Sequence, residues 1–178
     1  MRYGTLLIFC LLFAVPAAGQ PASDTSDWPA PDSADVASIE AIITSLYDSI
    51  SGPAGEERDW DRFRSFFHPE ARLIPTGKVQ GQVGVVPLGV DAYIERAKPA
   101  FLNSGFYEVE TSRKVETYGY MTHLFSTYEA RLEEDAEPFD RGINSIQLLH
   151  DGTRWWIMSI FWNSEATVGE PIPEMYGG

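Results

Sequence analysis

The sequence predicts a domain of the α+β class, with three helices first and a curved antiparallel sheet after them. Apolar residues recur at helical spacing in three segments between residues 34 and 102. From residue 106 onward the apolar period becomes that of β-strands, and four long strands follow one another. Because the helices precede an antiparallel meander and do not alternate with its strands, we expect them to cover one face of a single sheet.

The helices are expected at residues 36–50, 59–67 and 90–102. Ser33 or Asp35 is expected to cap the first helix and Asp59 the second, because short polar side chains accept hydrogen bonds from the first free amides of a helix. Pro99 is expected to kink or shorten the third helix, since proline has no amide hydrogen to donate.

A short strand is expected at residues 71–75, followed by a loop over residues 76–89 that contains at most one strand. The long strands are expected at residues 106–117, 119–131, 141–149 and 154–163. Asp151-Gly152 predicts a two-residue hairpin turn between the last two strands.

Both faces of the last strand are apolar, and helices can cover only one of them. One face carries Trp155, Ile157 and Phe161, and the other carries Trp156, Met158, Ile160 and Trp162. The second face therefore needs a cover, and a second copy of the chain is the simplest one. We expect a homodimer formed through the sheet.

The first 19 residues have the layout of a secretory signal, with Arg2 before an apolar run over residues 6–15 and small residues at the end. The run is shorter than the about 20 residues that a membrane anchor needs. We expect cleavage near Gly19 and export to the periplasm or beyond. Because Cys10 is the only cysteine, the mature protein is expected to have no disulfide and no thiolate metal site.

The rest of the chain is expected to have three parts. Residues 20–33 have the composition of a flexible linker, residues 34–165 form the domain, and residues 166–178 are a tail without a core pattern. The net charge of −13 disfavours nucleic acid and anionic membranes as partners.

Residues 59–63 lead to residues 67–71, and the long strands end in the hairpin at residues 151–157. This order resembles the nuclear transport factor 2-like superfamily, which includes SnoaL-like polyketide cyclases, ketosteroid isomerase and scytalone dehydratase. Residues 141–148, followed by residues 154–156, resemble uncharacterised bacterial members. The resemblance covers about residues 34–165 and implies a cone-shaped α+β barrel, in which helices and the concave sheet face enclose a cavity. It leaves the function open, because the fold carries enzymes and non-enzymes alike.

Strand alternation, with Gln147 opposite Trp156 across the predicted two-residue turn, divides the long strands into two rows of side chains. Ketosteroid-isomerase-like members place the equivalent of Trp162 in the cavity, and this resemblance selects the row that faces inward. That row is His123, Phe125, Thr127, Glu129, Ile143, Ser145, Gln147, Trp156, Met158, Ile160 and Trp162. A slip of one residue would reverse the assignment.

His123 is a candidate general base, because an imidazole titrates near neutral pH; alternatively, it is a hydrogen-bonded core histidine. Tyr47-Asp48 resembles a pair in scytalone dehydratase, where the Asp orients a catalytic histidine and tyrosines polarise the substrate. The resemblance implies an acid–base set of His123, Tyr47 and Asp48. Two departures count against it: residues 51–58 are inserted, and residues 106–115 lack a second histidine. The alternative is a core Tyr47 with a solvated Asp48.

Other polar residues have less specific interpretations. Ser145 and Gln147 are candidate ligand contacts, with Phe125, Thr127, Trp156, Met158 and Trp162 as the cavity wall. Glu129 is expected to pair with Arg131 or Arg141, although it has the alternative of being a buried carboxylate with a raised pKa. Ketosteroid isomerase chemistry is disfavoured, because residues 73–76 contain no acid.

These patterns leave three functions open. The first is an exported SnoaL-like domain that binds a small apolar or aromatic molecule. The second is a cofactor-independent lyase or isomerase with His123 as base, and the third is a non-catalytic dimeric interaction domain. No cofactor is indicated, and His68, His123 and His150 lack the spacing of metal ligands.

Overall fold

The structure is a computed structural model that describes residues 27–79 and 81–178. The predicted signal segment and the start of the predicted linker lie outside the described residues. The helices are α1 (Ile39–Ile50), α2 (Trp60–Ser65), α3 (Val90–Asn103) and a single turn, α4 (Glu165–Val168). The strands are β1 (Phe67–Val79), β2 (Gln82–Val85), β3 (Tyr107–Tyr118), β4 (Met121–Arg131), β5 (Asp140–His150) and β6 (Trp155–Ser164), and a 3₁₀ turn at Glu174–Tyr176 ends the chain. Within these residues, no helix is long and apolar enough to cross a membrane.

The predicted α+β fold is confirmed. The strands form one sheet in the order β2-β1-β6-β5-β4-β3, with every neighbouring pair antiparallel except β1 and β6. The first three helices cover its inner face. The core between them is built by fully buried apolar side chains, among them Ile42, Ile43, Phe63, Phe66, Ile94, Leu124, Ile146, Leu148 and Ile157. Burial of each such side chain contributes about 1.5–3 kcal/mol to folding.

The ends of the helices follow local hydrogen bonds. α1 begins after Ser38, whose hydroxyl accepts from the Ala41 amide at 3.0 Å, so the caps predicted at Ser33 or Asp35 are wrong. The Asp35 carboxylate instead binds the Arg62 guanidinium at 2.9 Å. Asp59 caps α2 as predicted, and α3 continues past Pro99 to Asn103 without being shortened.

The first strand is longer than the predicted 71–75 because it pairs with β6, and no pattern in the sequence predicts this pairing. β1 lies parallel to β6, with Leu73 beside Ile160, and β2 extends its far edge. β6 therefore lies inside the sheet, between β1 and β5.

The hairpin between β5 and β6 has a longer loop than predicted. Asp151 accepts hydrogen bonds from the amides of Thr153 at 2.7 Å and Arg154 at 2.9 Å, and from the Trp156 indole at 2.7 Å. The last cross-strand pair is His150 with Trp155, so residues 151–154 form the loop and the predicted two-residue turn is wrong. Leu149, and not Gln147, lies opposite Trp156.

A β-bulge at Met158 reverses the alternation within β6. Ile157 pairs with Leu148 and Ser159 pairs with Gln147, so Met158 is the extra residue. Because of it, Ile157, Ile160 and Trp162 share the inner face, whereas Trp156 shares the outer face with Leu149. The prediction that Trp156 and Trp162 line one face is therefore wrong.

Segments at both ends of the described chain pack on the domain. The Trp28 indole, in the predicted linker, donates to the carbonyls of Phe67 at 2.9 Å and Arg64 at 3.1 Å. In the predicted tail, the Tyr176 carbonyl accepts from the Thr127 hydroxyl at 2.6 Å. The tail thus covers part of the outer face of the sheet, which was predicted to need a second chain.

Candidate ligand cavity

A cavity of about 230 Å³ lies between the inner face of the sheet and the helices. Its walls are mainly aromatic, and its polar side chains are few. The aromatic residues are Tyr47, Phe63, Tyr93, Phe101, Phe106, Tyr128, Phe139 and Trp162. The other lining residues are Leu46, Ile50, Leu73, Glu108, Ala130, Asp140, Asn144 and Ile160. This size is just below the range of about 300–1,000 Å³ that is common for ligand sites, so the cavity suits a small molecule.

The helical repeat of α1 and the alternation of the strands place the lining side chains in the cavity. Tyr47 follows Ile43 by one helical repeat on α1, and both are buried under the sheet. Tyr128 and Ala130 alternate with outward residues of β4, and Asn144 faces inward from β5. Trp162 reaches the cavity because of the Met158 bulge.

The polar end of the cavity centres on Asn144. Its amide nitrogen donates to the Glu108 carboxylate at 3.1 Å and to the Tyr47 hydroxyl oxygen at 3.0 Å. The Tyr47 and Ser126 oxygens lie 2.7 Å apart, and the Ser126 hydroxyl donates to Glu110. Since Ser126 gives its proton to Glu110, Tyr47 must be the donor to Ser126. The bonds therefore run in one direction, from Asn144 through Tyr47 and Ser126 to Glu110.

Glu108 and Glu110 differ in what neutralises them. Glu110 is paired with Arg113, whose Nε lies 2.8 Å from its Oε1. Glu108 has no cationic partner among the described residues. Burial in the cavity wall raises the pKa of the Glu108 carboxyl to about 7; the Asn144 hydrogen bond lowers this pKa, and the charge of Asp140 raises it.

The tyrosines around Glu108 keep their protons at neutral pH. Burial raises the pKa of Tyr47, Tyr93 and Tyr128 above the ordinary value, and the charge of Glu108 raises each of them further. The hydroxyls of Tyr93 and Tyr128 make no hydrogen bond within the described residues. They are hydrogen-bonding groups that a molecule in the cavity is able to use.

Most of the side chains predicted to face the cavity lie on the other face of the sheet. β4 and β5 pair as Phe125 with Ser145 and His123 with Gln147, so the predicted row does share one face. The buried row that faces the helices is its complement, which includes Leu124 and Ile146. The inward assignment is therefore wrong for His123, Phe125, Thr127, Glu129, Ile143, Ser145, Gln147, Trp156 and Met158, whereas Ile160 and Trp162 line the cavity.

The predicted acid–base set is not assembled. His123 lies on the outer face, where its Nε2 is 3.0 Å from the Ser145 hydroxyl. Asp48 is exposed and forms an ion pair with Arg62 at 2.5 Å. Tyr47 lines the cavity, but neither of its predicted partners does. The grouping of these three residues is wrong, and a catalytic role for Tyr47 stays a prediction.

The remaining predicted residues have structural surroundings on the outer face. Ser145 and Gln147 lie beside Phe161 in a shallow groove. The Trp156 indole stacks under the Arg154 guanidinium at 3.6 Å. Glu129 pairs with Arg131 at 2.7 Å, as the sequence predicted.

Sequence reasoning missed Glu108, Asn144, Tyr93 and Tyr128. A signal for two of them was present, because the row with Leu124, Tyr128, Ile146 and Leu148 is more apolar than the row with His123, Gln147 and Glu129. The inward row was instead chosen from the expected position of Trp162 alone, so the difference in apolar character between the two rows was not used. In the part of the chain described here, no group of three His, Cys, Asp or Glu residues is arranged to hold a metal ion.

Comparisons with known proteins bear on the fold. No family model matches the chain, and no curated protein matches it. A nuclear transport factor 2-like protein of unknown function from Silicibacter pomeroyi superposes with a TM-score of 0.51 at 16% identity, over 72% of this chain and 93% of that one. A protein of unknown function from Mycobacterium tuberculosis superposes with a TM-score of 0.56 at 14% identity, over 79% of this chain and 74% of that one. The yeast UBP3-associated protein BRE5 superposes with a TM-score of 0.51 at 15% identity, over 70% of this chain and 92% of that one. The chain thus has a nuclear transport factor 2-like fold, as the resemblance predicted.

The raised pKa of Glu108 predicts how stability changes with pH. Between its ordinary pKa of 4.5 and about 7, the folded state binds this proton more tightly than the unfolded state. Stability is therefore lost as pH rises through this window, by up to about 3 kcal/mol. Glu108→Gln lacks this loss. Its free energy of unfolding, measured with urea, is therefore expected to rise relative to that of the wild type between about pH 4.5 and pH 8.

The exposed Glu133→Gln is the matched control for removing one charge, and it is expected to follow the wild type at every pH. A difference between Glu108→Gln and the wild type that stays constant with pH would contradict the raised pKa.

Proposed function

We propose that this chain is a SnoaL-like, small-molecule-binding domain whose ligand occupies the cavity between α1, α3 and the inner face of the sheet. The single observation that supports the proposal is an aromatic cavity with one polar end, formed by Glu108, Asn144 and Tyr47. A few polar groups in an apolar wall are typical of sites that orient a ligand. The aromatic walls suit a cyclic, apolar body, and the polar end suits one polar substituent.

The proposal predicts stabilisation by small cyclic compounds that is lost when the cavity is filled. A panel of cyclic ketones, phenols and cyclic amines is screened by thermal unfolding. A binding member at ten times its Kd raises the Tm by about 3–6 °C. Ala130 lines the cavity and is buried, so Ala130→Leu places three more carbons in the space and removes the shift.

Ala92 is exposed on α3, and Ala92→Leu is the matched control, which is expected to keep the full shift. If no compound of the panel stabilises the protein, or if Ala130→Leu keeps the shift, the cavity is not the binding site.

A second proposal, cofactor-independent acid–base catalysis, is favoured by the Glu108 carboxyl. Its pKa of about 7 is suited to accepting and returning a proton near neutral pH. The Glu108 oxygen that Asn144 does not bind has no hydrogen-bond partner within the described residues. Glu108 thus takes the role that the sequence assigned to His123.

Catalysis of this kind predicts exchange of the hydrogens next to the carbonyl of a small cyclic ketone in deuterated water, followed by NMR. We expect Glu108→Gln to slow the exchange by about 10²–10⁴-fold, since a positioned base contributes that much. The rate is expected to rise with pH through about 7, as Glu108 loses its proton. His123→Gln, on the outer face, is expected to leave the rate unchanged. Equal rates in the wild type and Glu108→Gln would exclude the catalytic role.

A homodimer through the outer face of the sheet, as a non-catalytic interaction domain requires, is also a proposal. It is supported by the exposed Phe161 and Val85, which lie with Ile74 on the part of this face that the tail leaves open. The mass of the protein in solution tests it, and a monomer at all concentrations would contradict it.

Export likewise remains a proposal, which rests on the signal-like layout of residues 1–19. The N-terminal residue of the mature protein tests it, with Gln20 expected and Met1 contradicting it.

A further inference from the structure

Half-buried carboxylates in this chain are paired with arginine wherever they lie outside the cavity. Asp35 pairs with Arg62 at 2.9 Å. Glu110 pairs with Arg113. The remaining pairs of this kind join Glu129 to Arg131 at 2.7 Å and Glu165 to Arg141 at 3.5 Å. Each arginine offsets the cost of taking a charge out of water.

The two half-buried carboxyls that line the cavity have no such partner among the described residues. Glu108 receives one hydrogen bond, from the Asn144 amide at 3.1 Å. Asp140 receives one, from the Arg141 backbone amide at 3.0 Å. The two lie close enough for the charge of Asp140 to raise the pKa of Glu108. Within the described part of the chain, the cavity therefore has two carboxyl groups and no countercharge.

Among the described residues, no basic side chain lines the cavity. Arg58 lies over the Phe101 ring at 5.9 Å, but its guanidinium donates to the backbone carbonyls of Ile50, Pro53 and Glu56 and lines a separate groove. Within the described residues, nothing in this chain is thus placed to neutralise Glu108 and Asp140.

The rest of the cavity wall also suits a cation. Tyr93 and Trp162 meet edge to face at 6.2 Å, and Phe101 and Phe106 stack at 4.5 Å, so aromatic rings surround the space. Ring faces attract ammonium groups within about 6 Å. Tyr128 is only 5% exposed, lines the cavity, and its hydroxyl has no partner within the described residues. Its lone pairs are able to accept from an N–H donor.

We propose that the cavity binds a small organic cation, an amine with an apolar cyclic body, whose ammonium group supplies the countercharge that Glu108 and Asp140 lack. The inference rests on the proposed binding function and names its ligand class. The apolar body lies against the aromatic wall, and the ammonium group lies at the polar end. A neutral molecule of the same shape would leave both carboxyls unpaired, and an anion would add a third like charge.

Three probes that share a cyclohexyl body and carry polar groups of different charge test the inference: cyclohexylmethylamine, cyclohexylmethanol and cyclohexanecarboxylate. Calorimetric titration at about pH 8, where Glu108 is ionised, is expected to give an amine Kd at least about tenfold lower than that of the alcohol. The carboxylate is expected to bind most weakly. Glu108→Gln and Asp140→Asn are each expected to reduce the ratio of amine to alcohol affinity, and Glu133→Gln is expected to leave it unchanged.

The amine affinity is also expected to fall as pH is lowered through about 7, because Glu108 takes up a proton. Asp140 and the hydroxyls of Tyr47, Tyr93 and Tyr128 are the other titratable groups that face Glu108. Burial raises the pKa of all three tyrosines, so they keep their protons throughout this range.

The outcomes separate this inference from the binding function. Equal or tighter binding of the alcohol would overturn the cation preference and leave the cavity as a site for neutral molecules. Amine binding that persists in Ala130→Leu would place the cation on the acidic surface and overturn the inference. If none of the probes binds, and the wider panel does not bind either, the binding function itself fails.

Discussion

An extra residue in β6, Met158, determines which side chains of this strand the helices cover. Without this bulge, strict alternation would place Trp156 and Trp162 on the same face. With it, Ile157, Ile160 and Trp162 all face inward, and the strand fits between β5 and a parallel β1. The place of Trp162 in the cavity wall and of Trp156 on the outer face both follow from this one irregularity.

Within that frame, the cavity combines two conditions that rarely occur together in a packed core. Its walls are mainly apolar, yet they contain the Glu108 carboxyl, which accepts a hydrogen bond from no described side chain other than Asn144. The hydrogen bonds of Tyr47 tie α1 to Asn144 on β5 and Ser126 on β4, so the polar end is fixed by the same contacts that dock the helix. A buried carboxyl without a countercharge costs stability, and such costs cluster at sites that bind or react.

The sequence predicted the fold class, the three helices and the four long strands because each depends on a local period of apolar residues. The predicted β5–β6 turn and the predicted faces of the β6 side chains were wrong, because each depends on a single loop or bulge. Asp151 binds Thr153, Arg154 and Trp156 and so lengthens a turn that Asp-Gly usually makes short. Tyr47, a predicted site residue, does line the cavity, but Glu108 was not predicted, because a carboxyl near the start of a strand looks solvated until its neighbours in space are known.

The proposed ligand site depends on Glu108 lying in the cavity as a carboxyl with no countercharge among the described residues, and NMR titration of its side-chain carbon tests this placement. The titration is expected to give a midpoint near 7 for Glu108 in the folded protein, well above the ordinary glutamate value of 4.5. A Glu108 midpoint at that ordinary value would contradict it, since the carboxyl would then be solvated and the cavity would have no polar end to orient a ligand.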